Sequence, residues 1–258
     1  MSGGAQKRLR SDLAWSSADR IVVRGHDLVD LIGTASLGDV AFLELMGRLP
    51  SARESAVFNA VAITLVEHGL TPSAIASRLT YLGAPESLQG AVAAGLLGLG
   101  DRFGGPIEEA ARTLQEALPA EGGDLDSIAR QVVADARQAG RPVAGVGHPF
   151  HKPVDPRTPR LFQVAAENGF SGRHVELMTR IGAEAERAYG KPLPVNATGA
   201  IAALAGELGI PWQVTRGLAV MARAIGLVAH LQEEIREPLA AEIWRRADEE
   251  ASEHLRSD

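Results

Sequence analysis

Cysteine is absent from the chain, which excludes disulfides, thiolate nucleophiles and Cys-ligated zinc. Aromatic residues make up only 4% of the 258 residues, against 45% hydrophobic residues in all. Ala, Leu, Val and Ile must therefore fill the core, and an interior so rich in small side chains favours closely packed helices. Positive charge is in the minority, with 26 Lys and Arg against 32 Asp and Glu and a formal net charge of −6. That balance excludes nucleic acid as a general partner, because phosphate binding needs a net basic face. It leaves room for a local basic pocket that takes a small anion. Apolar runs are broken by Gly or charge before membrane-spanning length, so no membrane partner is expected. The N-terminal stretch, MSGGAQKRLRSDLAWSS, carries no apolar segment of the kind a secretory signal needs. A soluble cytoplasmic protein is the expectation. GxGxxG, P-loop and GxSxG motifs are missing as well.

What is present reads as helix. A chain of this length suits one large domain, or a large one carrying a smaller insertion. Residues 1–19 are polar and read as a flexible N-terminal arm, and residues 21–25 as a short strand or an extended entry. From residue 39 onward the apolar spacing is helical. Asp39–Met46 stops at Gly47, and Ser55–His68 stops at Gly69. Thr71 and Pro72 supply the cap and first turn of the next helix. Leu88–Leu99, rich in Ala and Gly on all sides, reads as deeply buried, and Gly104–Gly105–Pro106 as a break. Further helices are expected at Glu108–Leu118, Asp126–Ala139, Arg173–Tyr189, Thr198–Leu208 and Pro211–Ile235, then a charged one at Leu239–Leu255. Residues 145–158 hold three prolines and read as a long loop, and such loops are often functional. The expected fold is all-α, with a large helical domain over 20–105 and 196–258 and a small helical domain over 106–195.

Polar residues that could carry chemistry gather at helix ends. His148 follows glycines that let a backbone approach a ligand closely. It can serve as general acid or oxyanion donor, or it can simply cap a carbonyl. Arg223 stands alone in a strongly apolar helix, where a guanidinium must find an anion because an unpaired buried charge costs several kcal/mol. That anion is either a core carboxylate or a substrate carboxylate, which Arg binds bidentately. His68, taken alone, reads as a helix C-terminal cap. His26, His151 and His174 lack any spacing that would bind a metal, so no metal site is expected.

Together these segments resemble the citrate synthase superfamily. Residues 24–28 (RGHDL) and 38–50 (GDVAFLELMGRLP) resemble its N-terminal signature; Gly147–His148 with Asp155–Pro156–Arg157 resembles its "GxGH…DPR" loop; Arg223–Ala224–Ile225–Gly226 resembles its "SRALG" helix. Glu67–His68–Gly69 and residues 100–105 (GDRFGG) are similar to the "DHG" turn and "GDRFGG" segment of the citryl-CoA lyase module of ATP-citrate lyase. That second segment lies where citrate synthases carry a histidine in "GPLHG", and no His stands there in this chain.

The resemblance implies a homodimer or higher homo-oligomer that makes or breaks the carbon–carbon bond between a CoA-ester enolate and a keto acid. In the lyase direction, citryl-CoA or a related 3-hydroxyacyl-CoA would give acetyl-CoA and oxaloacetate or a related carbonyl. It implies that His148 faces the reacting oxygen, and that His68, Arg157 and Arg223 hold carboxylates, with Phe103 beside them. Arg236 would reach into the neighbouring subunit's site. Gly145, Val146, Gly147, Lys152 and Lys191 would lie near coenzyme A. Asn196 falls where the family places an aspartate general base, and an amide cannot take or give a proton there. A condensing enzyme for a non-citrate acyl-CoA and a catalytically silent CoA-ester binding protein therefore stand as alternatives. No CoA-ligase segment is recognised, so a CoA-ligase partner enzyme would supply the thioester.

Overall fold

The computed structural model describes residues 9–147 and 154–256. Three short strands, β1 (Ala14–Ser16), β2 (Ile21–Val23) and β3 (His26–Asp27), form an antiparallel sheet near the N-terminus. The arm expected over residues 1–19 is thus ordered in its last part: Trp15 pairs with Val22, and the Arg20 guanidinium lies 5.8 Å over the Trp15 ring. Helices α1 (Leu28–Leu31), α2 (Leu37–Met46), α3 (Ala52–Val66), α4 (Pro72–Gly83) and α5 (Leu88–Leu97) follow. A π-helical turn at Gly100–Gly104 then leads into α6 (Gly105–Ala117), α7 (Leu125–Gln138), α8 (Arg157–Glu167), α9 (Arg173–Tyr189), α10 (Ala197–Glu207), α11 (Trp212–Arg236) and α12 (Ala240–Ser252).

Local chemistry sets the ends of these elements. Ser36 with Asp39 and Ser51 with Glu54 form capping boxes that start α2 and α3, each satisfying amides that a helix start leaves without partners. Gly47 ends α2 in the left-handed conformation. Thr71 caps α4, with Pro72 in its first turn.

Two apolar cores meet on α10. Phe42, Val57, Phe58, Leu161, Ile201 and Leu204 belong to the first, from α2, α3, α8 and α10, with the rings of Phe42 and Phe58 edge-on at 5.5 Å. Ala111, Leu114, Val133, Leu177 and Ile181 belong to the second, from α6, α7 and α9, and are joined there by Ala202 and Ala203 of α10. A helix buried on every side has no use for a polar face, which explains the unbroken small and apolar sequence of α10. The 25-residue α11 packs on α3, α4, α5 and α6 and buries Leu218, Ala222, Leu227 and Leu231. By length and composition alone α11 could cross a membrane, contrary to the expectation that every apolar run stops short. Half of its apolar stretch is buried within the fold.

Four local expectations are corrected. Leu88–Leu97 is not buried on all sides: Leu97 is 83% exposed, while Ala91 and Gly95 face inward. Small residues serve one contact there, since a side chain at Gly95 would meet Leu227 at 2.7 Å. No break occurs at Gly104–Gly105–Pro106. Pro106 sits in the first turn of α6, where its missing N–H is tolerated, and the wider π turn accommodates the lost bond. Residues 157–167 are helical despite Pro156 and Pro159, because both prolines fall at the start of α8. Last, α3 ends at Val66, so His68 lies beyond the helix rather than in its last turn.

One contact ties the cores to the turn that follows α3. At Gly226, α11 crosses the end of α3 so closely that a Cβ would strike the Val66 carbonyl oxygen. Gly226→Ala is expected to cost about 1–3 kcal/mol as the helices separate, read as a lowered urea midpoint with an unchanged slope.

Candidate active site

A cavity of about 190 Å³ opens where several segments converge. Thr64 and Leu65 come from the end of α3, His68 from the turn beyond it, Ser73 from the start of α4, Phe103 from the π turn, Ile107 from α6, Arg157 from the start of α8, Thr198 from the first turn of α10 and Arg223 from the middle of α11. Four residues singled out in the sequence, His68, Phe103, Arg157 and Arg223, thus share one cavity.

Its two guanidinium groups are held differently. Asp155 is fully buried and grips Arg157 in a fork, accepting from Nε at 3.0 Å and from Nη2 at 2.8 Å. The same carboxylate accepts the backbone amides of Arg157 and Ala197, each at 3.1 Å, so it also fixes the N-terminus of α10. Burial pushes the Asp155 carboxyl up, but Arg157 and the two amides outweigh it and hold the group well below the usual carboxylate range. Arg223 has no such partner. Its Nη1 is 3.9 Å from Glu67 Oε1 and makes no hydrogen bond among the described residues. Burial lowers its pKa and Glu67 opposes that, yet a guanidinium remains charged under all ordinary conditions. A buried cation facing a cavity with an unused donor is suited to an incoming carboxylate.

Glu67 connects this cavity to the protein interior. Its Oε1 accepts from the His68 and Gly69 amides at 2.7 and 2.6 Å and lies 3.2 Å from His230 Nε2. On the other side of the imidazole, Nδ1 faces Arg78 Nη2 at 3.0 Å. Arginine can only donate, so Nδ1 accepts and Nε2–H points at Glu67. Arg78, wholly buried, also pairs with Glu233 and, at 2.8 Å, with Glu234. Glu234 in turn accepts the amides of Leu239 and Ala240, which start α12. Burial raises the Glu67 carboxyl, and its amide and His230 contacts reverse the effect and leave it below its ordinary value.

At the rim, Asn196 caps α10. Its Oδ1 accepts the Gly199 amide at 3.1 Å and its Nδ2 donates to the Gly147 carbonyl at 2.6 Å. Gly145 has φ +84°, and a Cβ there would lie 2.7 Å from Gly199 Cα, so only glycine allows this loop to rest on α10. Val146 forms an isolated antiparallel bridge with Val195. On the far side of that bridge, Val146 and Lys191 line a second cleft of about 430 Å³ together with Arg137, Arg141 and Tyr189. The Arg137 guanidinium stacks 5.9 Å from the Tyr189 ring.

Arg236 does not join either cavity of its own chain; it is exposed and pairs with Glu237 at 3.1 Å. His148 and Lys152 lie outside the described residues. Sequence reasoning named Asp155 and Glu67 only as parts of motifs, without a role, and passed over Arg78 and His230. A signal existed for the last: Arg223, His230 and Glu234 are spaced by seven and four, one stripe of α11. Among the described residues no group of three or more His, Asp or Glu stands where it could hold a metal ion.

Comparison with known proteins follows the same lines. Residues 41–247 match the family described as citrate synthase, C-terminal domain. ATP-citrate synthase beta chain protein 1 of Arabidopsis thaliana is 30% identical over 197 residues, which is 69% of this chain and 31% of that protein. A probable ATP-citrate synthase of Caenorhabditis elegans is 31% identical over 111 residues, 43% of this chain and 10% of that one. The chain therefore spans a third or less of the length of these curated relatives. Citryl-CoA lyase from Hydrogenobacter thermophilus superposes with a TM-score of 0.82 at 35% identity, covering 90% of this chain and 88% of that one. An ATP citrate lyase of Methanosaeta concilii solved with (3S)-citryl-CoA shares the fold, with a TM-score of 0.73, 22% identity and coverage of 90% and 40%.

The buried Asp155 makes a specific expectation about acid. Because its folded pKa is depressed below the ordinary value of 3.8, its stabilisation is complete above that value and is lost as pH falls through and below it. Asp155→Asn should cost about 3 kcal/mol at neutral pH and should flatten the stability–pH curve below pH ~4, read by thermal melts across the acid range.

Proposed function

The chain belongs to the citrate synthase family, and we propose on that premise that it cleaves the carbon–carbon bond of citryl-CoA or a closely related 3-hydroxyacyl thioester. The observation that carries the reading is the pair Arg157 and Arg223 on one cavity, with the Arg223 Nη1 donor unused among the described residues. A substrate with several carboxylates fits that wall, and its alignment by fixed guanidinium groups lowers the barrier by positioning. The 35% identical Hydrogenobacter protein, a citryl-CoA lyase matched over most of its length, supports this direction of reaction.

In the proposed step the hydroxyl proton leaves to His148 as the carbinol C–O becomes a carbonyl. The bond between carbinol carbon and methylene breaks, and its electron pair passes into the thioester as an enolate. The enolate carbon then takes a proton from water, and the hydroxide so formed recovers the proton held on His148, giving acetyl-CoA and oxaloacetate with the imidazole neutral again. Asn196 holds no proton to give and its amide is engaged, so it stays outside the transfer. Coenzyme A would cross the 145–147 turn and place its phosphates in the cleft of Arg137, Arg141 and Lys191. The engagement of Asn196 also favours a second reading, a CoA-ester binding protein without turnover.

Assembly and domain division belong to the same proposal. Met221, Ile225 and Val228, one stripe of α11, are exposed apolar side chains, which supports a homodimer covering that stripe. The two cores meeting on α10 support a smaller domain over 106–195 beside the larger one, although α8 packs into the first core. A CoA-ligase partner enzyme would supply the thioester.

Incubation with (3S)-citryl-CoA and a panel of 3-hydroxyacyl-CoA esters, followed by mass spectrometry, tests the reading. Release of acetyl-CoA from citryl-CoA supports it; tight CoA binding with no ester turned over supports the silent binder. Arg223→Gln should lower kcat/KM on the order of 100-fold, as expected for loss of a buried charge-assisted contact. Lys191→Ala should weaken CoA binding and reduce its dependence on salt, measured by calorimetry at two ionic strengths.

A further inference from the structure

Asn196 stands where the resemblance places a proton-carrying aspartate, and both ends of its side-chain amide are occupied. Oδ1 accepts the Gly199 amide at 3.1 Å and thereby caps α10. Nδ2 donates to the Gly147 carbonyl at 2.6 Å. The backbone amide donates to the Gly145 carbonyl at 3.0 Å, and the Gly147 amide returns a bond to Pro194 at 2.8 Å. Three of these hydrogen bonds lock the turn at 145–147 onto the entry of α10, and the fourth caps the helix itself.

Only an amide side chain of this length satisfies both ends. A carboxylate could keep the cap, since it accepts as well as Oδ1 does. It could not donate to Gly147, and two oxygens would face each other at the distance where a hydrogen bond now stands. Serine would cap the helix and fall short of the carbonyl.

We propose that Asn196 is a positioning residue, which holds the Gly145–Gly147 turn, and with it the chain entering His148, against the N-terminus of α10, and which exchanges no proton with the substrate. This rests on the function proposed above, in which His148 handles the substrate hydroxyl.

Replacement by aspartate separates positioning from proton transfer by the sign of a pH profile. A protonated carboxyl can donate to Gly147; an ionised one cannot, and the facing carbonyl favours the protonated form. Positioning therefore predicts that Asn196→Asp works best at low pH and fails as pH rises. An aspartate acting as a base predicts the reverse, with activity rising as it ionises.

Amide hydrogen exchange of Gly147 would be measured between about pH 5 and pH 8, each variant normalised to the unaltered chain at the same pH, alongside citryl-CoA kinetics and thermal melts. Asn196→Ser should retain the melting temperature closely, because the cap survives, yet lose protection at Gly147 and kcat by roughly tenfold. Asn196→Asp should match the unaltered chain in both readouts at the acid end and fall to the serine variant's level at the basic end. Unchanged Gly147 protection in Asn196→Ser, or citryl-CoA turnover in Asn196→Asp that climbs with pH, overturns the proposal. If exchange behaves as stated while the unaltered chain turns over no ester, the lyase reading fails and the loop-holding role stands.

Discussion

The contact between the Gly145 backbone and the first turn of α10 at Gly199 is the constraint from which the rest of the site takes its shape. Two glycines allow main chain to lie on main chain, and any side chain at either position would lift the loop away. With the loop seated, Asp155 can reach the Ala197 amide while gripping Arg157, and Asn196 can reach back to Gly147. The amides of Ala197 and Gly199 in the first turn of α10 thereby have protein acceptors, and the helix dipole favours the Asp155 carboxylate placed there. The cations placed to meet an anion are on side chains, Arg157 and Arg223 lining the cavity and Lys191 with Arg137 and Arg141 lining the adjoining cleft.

A second organising feature runs the other way, from the interior to the cavity. Glu234, Arg78, His230, Glu67 and Arg223 form a line of alternating charge and imidazole from the start of α12 to the cavity wall. Arg78 has no exposure at all, and a buried cation is tolerable only with its partners in place. Each member keeps the next in a defined orientation, and Arg223 at the far end is the least satisfied. Tight pairing inside and the unused Nη1 donor of Arg223 at the wall leave the final interaction available to whatever enters.

The helices were largely legible in the sequence, and the reasons for the exceptions are physical. Capping residues such as Ser51 and Thr71 and the stop at Gly47 mark ends through local bonds that any reader of the chain can find. The helix at Arg157–Glu167 was hidden by Pro156 and Pro159, which signal a loop unless both happen to fall in a first turn. Burial of α5 was overstated because small residues look alike whether they face a core or a single close neighbour. In the site, His68, Phe103, Arg157 and Arg223 were visible through motif order. Arg78 and His230 were not, because their roles arise from contacts between segments far apart in the chain; Asp155 stands in the same motif as Arg157, but its burial and its bond to the Ala197 amide exist only in the fold.

The π turn at Gly100–Gly104 has its own consequence for how this site can change over generations. A π turn is an α-helix with one residue to spare, and each residue of α-helix advances the chain by about 100°. Gly100, left-handed with φ +47°, sets this turn apart from α5, so losing a single residue between Gly100 and Gly104 would swing Phe103 away from the cavity. Gaining or losing one amino acid in this short stretch is therefore a way to exchange the side chain presented at the cavity mouth without rebuilding the fold, as a key is recut on an unchanged blank.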